Sequence, residues 1–135
     1  MATFDDVDRI TATLPDVTRG KTYGNDNWKV GAQGFAWVRP LSKADIKRLA
    51  GAPLPSGQIL ALSVADLGDK QAILSEGHPG VFTIAHFDSY PAILVQLEIV
   101  TMKVLGDLLI DAWMTAASPT VVEDYLTRNP LSDDS

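Results

Sequence analysis

The stretch YGNDNWKVGAQGFAWVR, residues Tyr23 to Arg39, decides how this chain folds. Trp28-Lys29-Val30 is a short β-like run. Gly31-Ala32-Gln33-Gly34 supplies turn residues, and Phe35-Ala36-Trp37-Val38-Arg39 returns before Pro40 stops it. A tight connection of this kind forces its two strands to pair antiparallel. Strict alternation along the return strand puts Phe35, Trp37 and Arg39 on one face and Ala36 and Val38 on the other.

The flanks extend the pattern. Upstream, Thr3 with Asp6 three residues on has the form of a helix start, and Phe4, Val7, Ile10 and Leu14 follow at helical spacing up to Pro15. Asp5, Asp6 and Asp8 then complement the helix dipole. Residues Leu14 to Val17 read as a connector. Downstream, Ser42 and Asp45 open a short helix through about Ala50, with Lys43 and Lys47 on its exposed side. A Gly/Pro-rich loop follows from Gly51 to Gly57. Ile59 to Val64 is apolar on both faces, as a central strand would be. Leu67 to Ser75 suits a helix ended near Gly77. Val81–Ala85 and Ala92–Val100 read as two strands around the polar knot His86-Phe87-Asp88-Ser89-Tyr90-Pro91, where Pro91 favours a turn over a continuous strand. Thr101 caps the strongest helix, with Leu105, Leu108, Leu109, Ala112, Trp113 and Ala116 as its core stripe. Pro119 starts a last short helix.

Two hairpins among segregated helices predict an α+β fold: one antiparallel sheet of about five strands with helices packed on one face. The 135 residues fit a single domain over 1–128, followed by a flexible acidic tail at 129–135.

Composition narrows the function. The chain has no cysteine, so disulfides, zinc–thiolate sites and cysteine nucleophiles are excluded. The start is acidic and shows no secretory leader, and no apolar run is long enough to span a bilayer, which predicts a cytoplasmic protein. The two histidines, His78 and His86, lie outside any recognised metal-ligand pattern, and no metal or other cofactor is expected. No nucleophile elbow or phosphate loop is present, and Ser89 beside His86 and Asp88 lacks the spacing of a relay. A non-enzymatic protein is expected.

Charge is unevenly spread. The net charge is −6, yet residues 19–48 hold seven basic against two acidic side chains, a local +5. Lys21, Lys29, Arg39, Lys43, Lys47 and Arg48 are candidate phosphate contacts, with Tyr23, Trp28, Phe35 and Trp37 interleaved as possible stacking groups. The acidic remainder repels nucleic acid, so binding to DNA is expected to be weak. A second reading is a small-ligand or protein-interaction module with a pocket between sheet and helices near Trp28, His86, Asp88 and Tyr90.

In four places the sequence resembles the MmcQ/YjbR family of small bacterial proteins. Leu14-Pro-Asp-Val17 is similar to the family's early Leu-Pro-Gly-Val, with Asp16 in place of glycine. Tyr23-Gly24, Trp28-Lys-Val and Gly34-Phe-Ala-Trp37 resemble its first hairpin, with Gln33 where lysine is common. Phe82 to Pro91 resembles its histidine-containing turn and Ala92–Leu97 the strand after it. Asp111-Ala-Trp113, Ala116 and Pro119 resemble its final helices. The resemblance implies a CyaY-like α+β domain and a predicted DNA-binding role through a "double wing" of hairpins. It implies no catalytic residues.

Overall fold

The computed structural model describes residues 2–22, 24–48, 57–84 and 87–129. The fold is α+β. The helices are α1 (Phe4–Thr11), α2 (Lys43–Arg48), α3 (Leu67–Ser75), α4 (Met102–Ala116) and α5 (Pro119–Arg128). The strands are β1 (Val17–Thr22), β2 (Asn25–Val30), β3 (Gln33–Val38), β4 (Ile59–Ser63), β5 (Val81–Phe82) and β6 (Ala92–Gln96). They form one antiparallel sheet in the order β1-β2-β3-β4-β6-β5. Apolar β4 does lie in the middle of the sheet.

Residues directly opposite each other in an antiparallel ladder share a face, so the register sorts the side chains. Trp28, Ala36, Leu62 and Ile93 form one row across four strands. Val38, Leu60, Val95 and Val81 form the next. Both rows face the main core, where Leu105, Leu109 and Trp113 of α4 and Val7 of α1 pack. On the opposite face, Gly20, Asn27, Trp37, Ala61, Leu94 and Phe82 form a single row through all six strands. Its β4–β6 end is covered by Ile84 and Phe87.

Several expectations change. The sheet has six strands because Val17–Thr22, beginning on the last residue of the expected connector, pairs along the whole of β2. The first hairpin turns tightly at Gly31-Ala32, with φ 61° at Gly31, and the strand resumes at Gln33. Phe35 is not on the Trp37 face. Trp28 pairs with Ala36 and Lys29 with Gly34, so Phe35 is the extra residue of a β-bulge. The bulge turns it into the main core beside Ala36, fully buried. The second hairpin is shorter than its apolar runs suggest, Val81–Phe82 against Ala92–Gln96. Leu49 and Ala50, most of the Gly/Pro-rich loop, and the tail from Pro130 on lie outside the described residues, as does Tyr23.

Asp16 has φ 61°, the left-handed region that favours glycine. It is also exposed. Asp16→Gly is expected to stabilise the fold by about 0.5 kcal/mol, the relief of that conformation less the added freedom of the unfolded chain. Urea denaturation of the two proteins checks this.

Candidate functional site

The open end of the second face holds a basin of about 520 Å³ over β2 and β3. The strand geometry arranges its lining. Asn27 and Trp37 pair at its middle, Lys29 stands toward the hairpin turn, and Arg39 lies two residues past Trp37 at the other end. Asn25, Gln33 and Tyr90 complete the wall. Half-buried Trp37 meets Tyr90 edge-on, with ring centroids 6.3 Å apart, and Tyr90 in turn meets Phe87 at 5.4 Å.

Arg39 is held on three sides. Its guanidinium lies 5.6 Å from the centre of the Phe87 ring, pairs with the Asp45 carboxylate at 3.0 Å, and donates to the Pro40 carbonyl. Asp45 is buried. Burial pushes its carboxyl up, but the Ser42 amide and hydroxyl and the Arg39 charge outweigh this and leave it below the usual carboxylate range. The Ser42–Asp45 capping box read from the sequence is formed, at 2.9 and 3.1 Å. It fixes α2 beside Arg39, at that end of the basin, though exposed Lys43, Lys47 and Arg48 are not among the residues that line it. Lys29, Lys43, Lys47 and Arg48 make no ion pair among the described residues.

The basic segment is split by the sheet. Lys21 faces Asp26 across the β1–β2 ladder, in register with the helix side, away from Lys29. Arg19 lies with it, paired to Asp8 and Asp26 and 5.2 Å from the centre of the Trp28 ring. Trp28 does not join Tyr90 in a pocket. It is 1% exposed in the main core, and its Nε1 donates to Asp8 at 2.8 Å. Trp28 and Tyr90 lie on opposite sides of the sheet. Asp88 is exposed beside the turn. His86 lies outside the described residues.

The knot is a turn. Phe87 N–H donates to the Ile84 carbonyl, Tyr90 N–H to Phe87, and the Pro91 carbonyl accepts from Val64 N–H. Its unforeseen partner is Lys70 on α3, only 5% exposed. The Lys70 ammonium donates to the carbonyls of Phe87 and, at 3.0 Å, Tyr90. Burial pushes its pKa below the usual lysine value, against the opposing pull of Asp88. One signal was present in the sequence. Lys70 stands three residues before Ile73 and four before Leu74, on the stripe that packs inward.

No three metal-ligating side chains converge among the described residues. No described helix is long and apolar enough to cross a membrane. No family model matches the chain, and no solved structure matches it. Uncharacterized protein Rv2570 of Mycobacterium tuberculosis (strain ATCC 25618 / H37Rv) is 40% identical over 132 residues, spanning 96% of this chain and 99% of the relative. Uncharacterized protein Mb2600 of Mycobacterium bovis and Uncharacterized protein MT2646 of M. tuberculosis (strain CDC 1551 / Oshkosh) match to the same extent.

Proposed function

We propose, for a chain that belongs to one family with these mycobacterial proteins, that the open face of β2 and β3 is a non-catalytic contact surface for single-stranded nucleic acid. The proposal keeps the MmcQ/YjbR likeness and a cytoplasmic setting, and it changes the form of DNA expected. The observation that carries it is Trp37, half-buried in the middle of a basin with cations toward both ends. A π-face between phosphate-binding groups is what an unpaired strand needs, because bases stack and the backbone pairs with lysine and arginine. Asn25 and Gln33 add donors and acceptors for base edges.

Duplex DNA fits less well. Its major groove, about 12 Å wide, admits a helix or a two-stranded ribbon. Here β2 and β3 are flanked by β1 and β4, so the hairpin is not a free wing. With Arg39 neutralised by Asp45, the working charges are Lys29, Lys43, Lys47 and Arg48, and the acidic remainder keeps affinity low.

Anisotropy of a short labelled single strand, measured across salt, tests this. Four phosphate contacts give a log–log slope of about −3 on a single strand. Trp37→Ala is expected to weaken binding by about 1–3 kcal/mol, the value of one stacked base, with an unchanged circular dichroism spectrum. Duplex should bind less tightly. Absence of binding at low salt, or equal affinity in Trp37→Ala, would remove the proposal. A mononucleotide binding as tightly as the strand would favour the second reading, a small-ligand site in this basin beside Tyr90.

A further inference from the structure

A second cleft, of about 370 Å³, opens on the other side of the sheet, between α3 and α4 at the end of β4. Val64 and Leu108, 9% and 8% exposed, are the accessible part of its floor, over fully buried Leu62 and Ile93. Ile73 and Met114 form its walls. Asp69 of α3 and Asp111 of α4 stand at its mouth.

The local cations are committed elsewhere. Lys70, next to Asp69 in the chain, turns away to the Phe87 and Tyr90 carbonyls. Lys103 pairs with Asp107 at 3.0 Å, and His78 with Glu76 at 2.7 Å. Asp69 and Asp111 are in no ion pair among the described residues. Burial, then the charges of Asp107, Asp69 and Glu76, push the Asp111 carboxyl above the usual range. Burial is the larger cause, and the like charges add to it.

An apolar floor under unpaired carboxylates has a definite complement. Anions are repelled, and a neutral apolar molecule gains only from buried area. A compact hydrocarbon bearing a protonated amine satisfies both parts, and the volume falls at the small end of ligand pockets. We propose that the cleft between α3 and α4 binds a small organic cation, with its ammonium between Asp69 and Asp111 and its hydrocarbon on Ile73, Leu108 and Met114. The site is separate from the Trp37 basin and does not depend on its role.

Cyclohexylmethylammonium and its neutral counterpart cyclohexylmethanol are the probes, titrated into the full chain by calorimetry and amide NMR near neutral pH. The amine should bind at least about tenfold tighter than the alcohol, one charge contact's worth. Shifts should centre on Ile73, Asp111 and Thr115. The double variant Asp69→Asn/Asp111→Asn should lose that advantage while remaining folded, since it removes like-charge repulsion. Thr115→Lys, which brings its own ammonium to the mouth, should block the amine by an independent route. Equal binding of amine and alcohol, retained affinity in both variants, or no shifts at the cleft would overturn the proposal.

Discussion

Trp113→Ala is expected to destabilise the protein by about 5 kcal/mol, the cost of emptying a large aromatic site plus an orphaned carbonyl. Trp113 is fully buried in the main core. Its Nε1 donates to the Pro15 carbonyl at 3.0 Å, joining α4 to the α1–β1 connection across 98 residues of sequence. Its ring also meets Tyr125 edge-on, with centroids 5.0 Å apart. Since α5 buries no residue of its own completely, that ring contact is a main part of its docking. Truncation should therefore release α5 as well as open a cavity. Urea denaturation followed by circular dichroism would read both effects, and a loss below about 2 kcal/mol would contradict this account. Trp113→Phe keeps most of the volume and should cost mainly the hydrogen bond, about 1–2 kcal/mol.

Lys70→Met comes next, with an expected loss of about 1–2 kcal/mol: the Phe87 and Tyr90 carbonyls lose a charged donor but keep the backbone N–H groups of Tyr90 and Ala92, while the burial cost of the ammonium is relieved. The sign of the pH dependence follows from the same burial. Lys70 has a folded pKa below its ordinary 10.5, so between the two values the unfolded chain binds more protons. Stability therefore rises with pH through that alkaline window, and the penalty for burying the charge is fully present below the folded pKa. The methionine variant should lose this rise, which equilibrium unfolding at a series of alkaline pH values would detect. Because Lys70 holds the carbonyl of Tyr90, the variant should also loosen one wall of the Trp37 basin.

How far the sequence could be read depended on the kind of interaction. Local signals were clear: the caps at Thr3, Ser42 and Thr101, the stripe of α4, the central position of Ile59–Ser63 and the turn at Phe87–Pro91 all follow from neighbours in the chain. Pairings between distant segments were less visible. β1 carries Thr18, Arg19, Gly20 and Lys21, a run without strand patterning, and is a strand because β2 pairs with it. Phe35 defeated alternation because a single inserted residue reverses every face after it. Lys70 was hidden because its partners are backbone carbonyls, which leave no mark in composition. The candidate site was half legible. Lys29, Arg39 and Tyr90 meet at one basin, whereas Lys21 and Trp28 lie across the sheet from it, a separation only the register reveals.

The row from Gly20 to Phe82 has a consequence for how this protein can change. Toward β5 its members are sealed under the turn and belong to a core, so a substitution there is paid in stability. Toward β1 the same row opens into the basin but is not bare: Asn27 is 7% exposed, and a Cβ at Gly20 would come within 3.2 Å of its Oδ1. New side chains can be tried with little loss of packing on the basin wall beside it, at Lys29 and Gln33. Trp37 stands between these regimes, packed against Tyr90 on one side and open to the basin on the other. Relatives can therefore share this scaffold while presenting different chemistry on one half of a single sheet face.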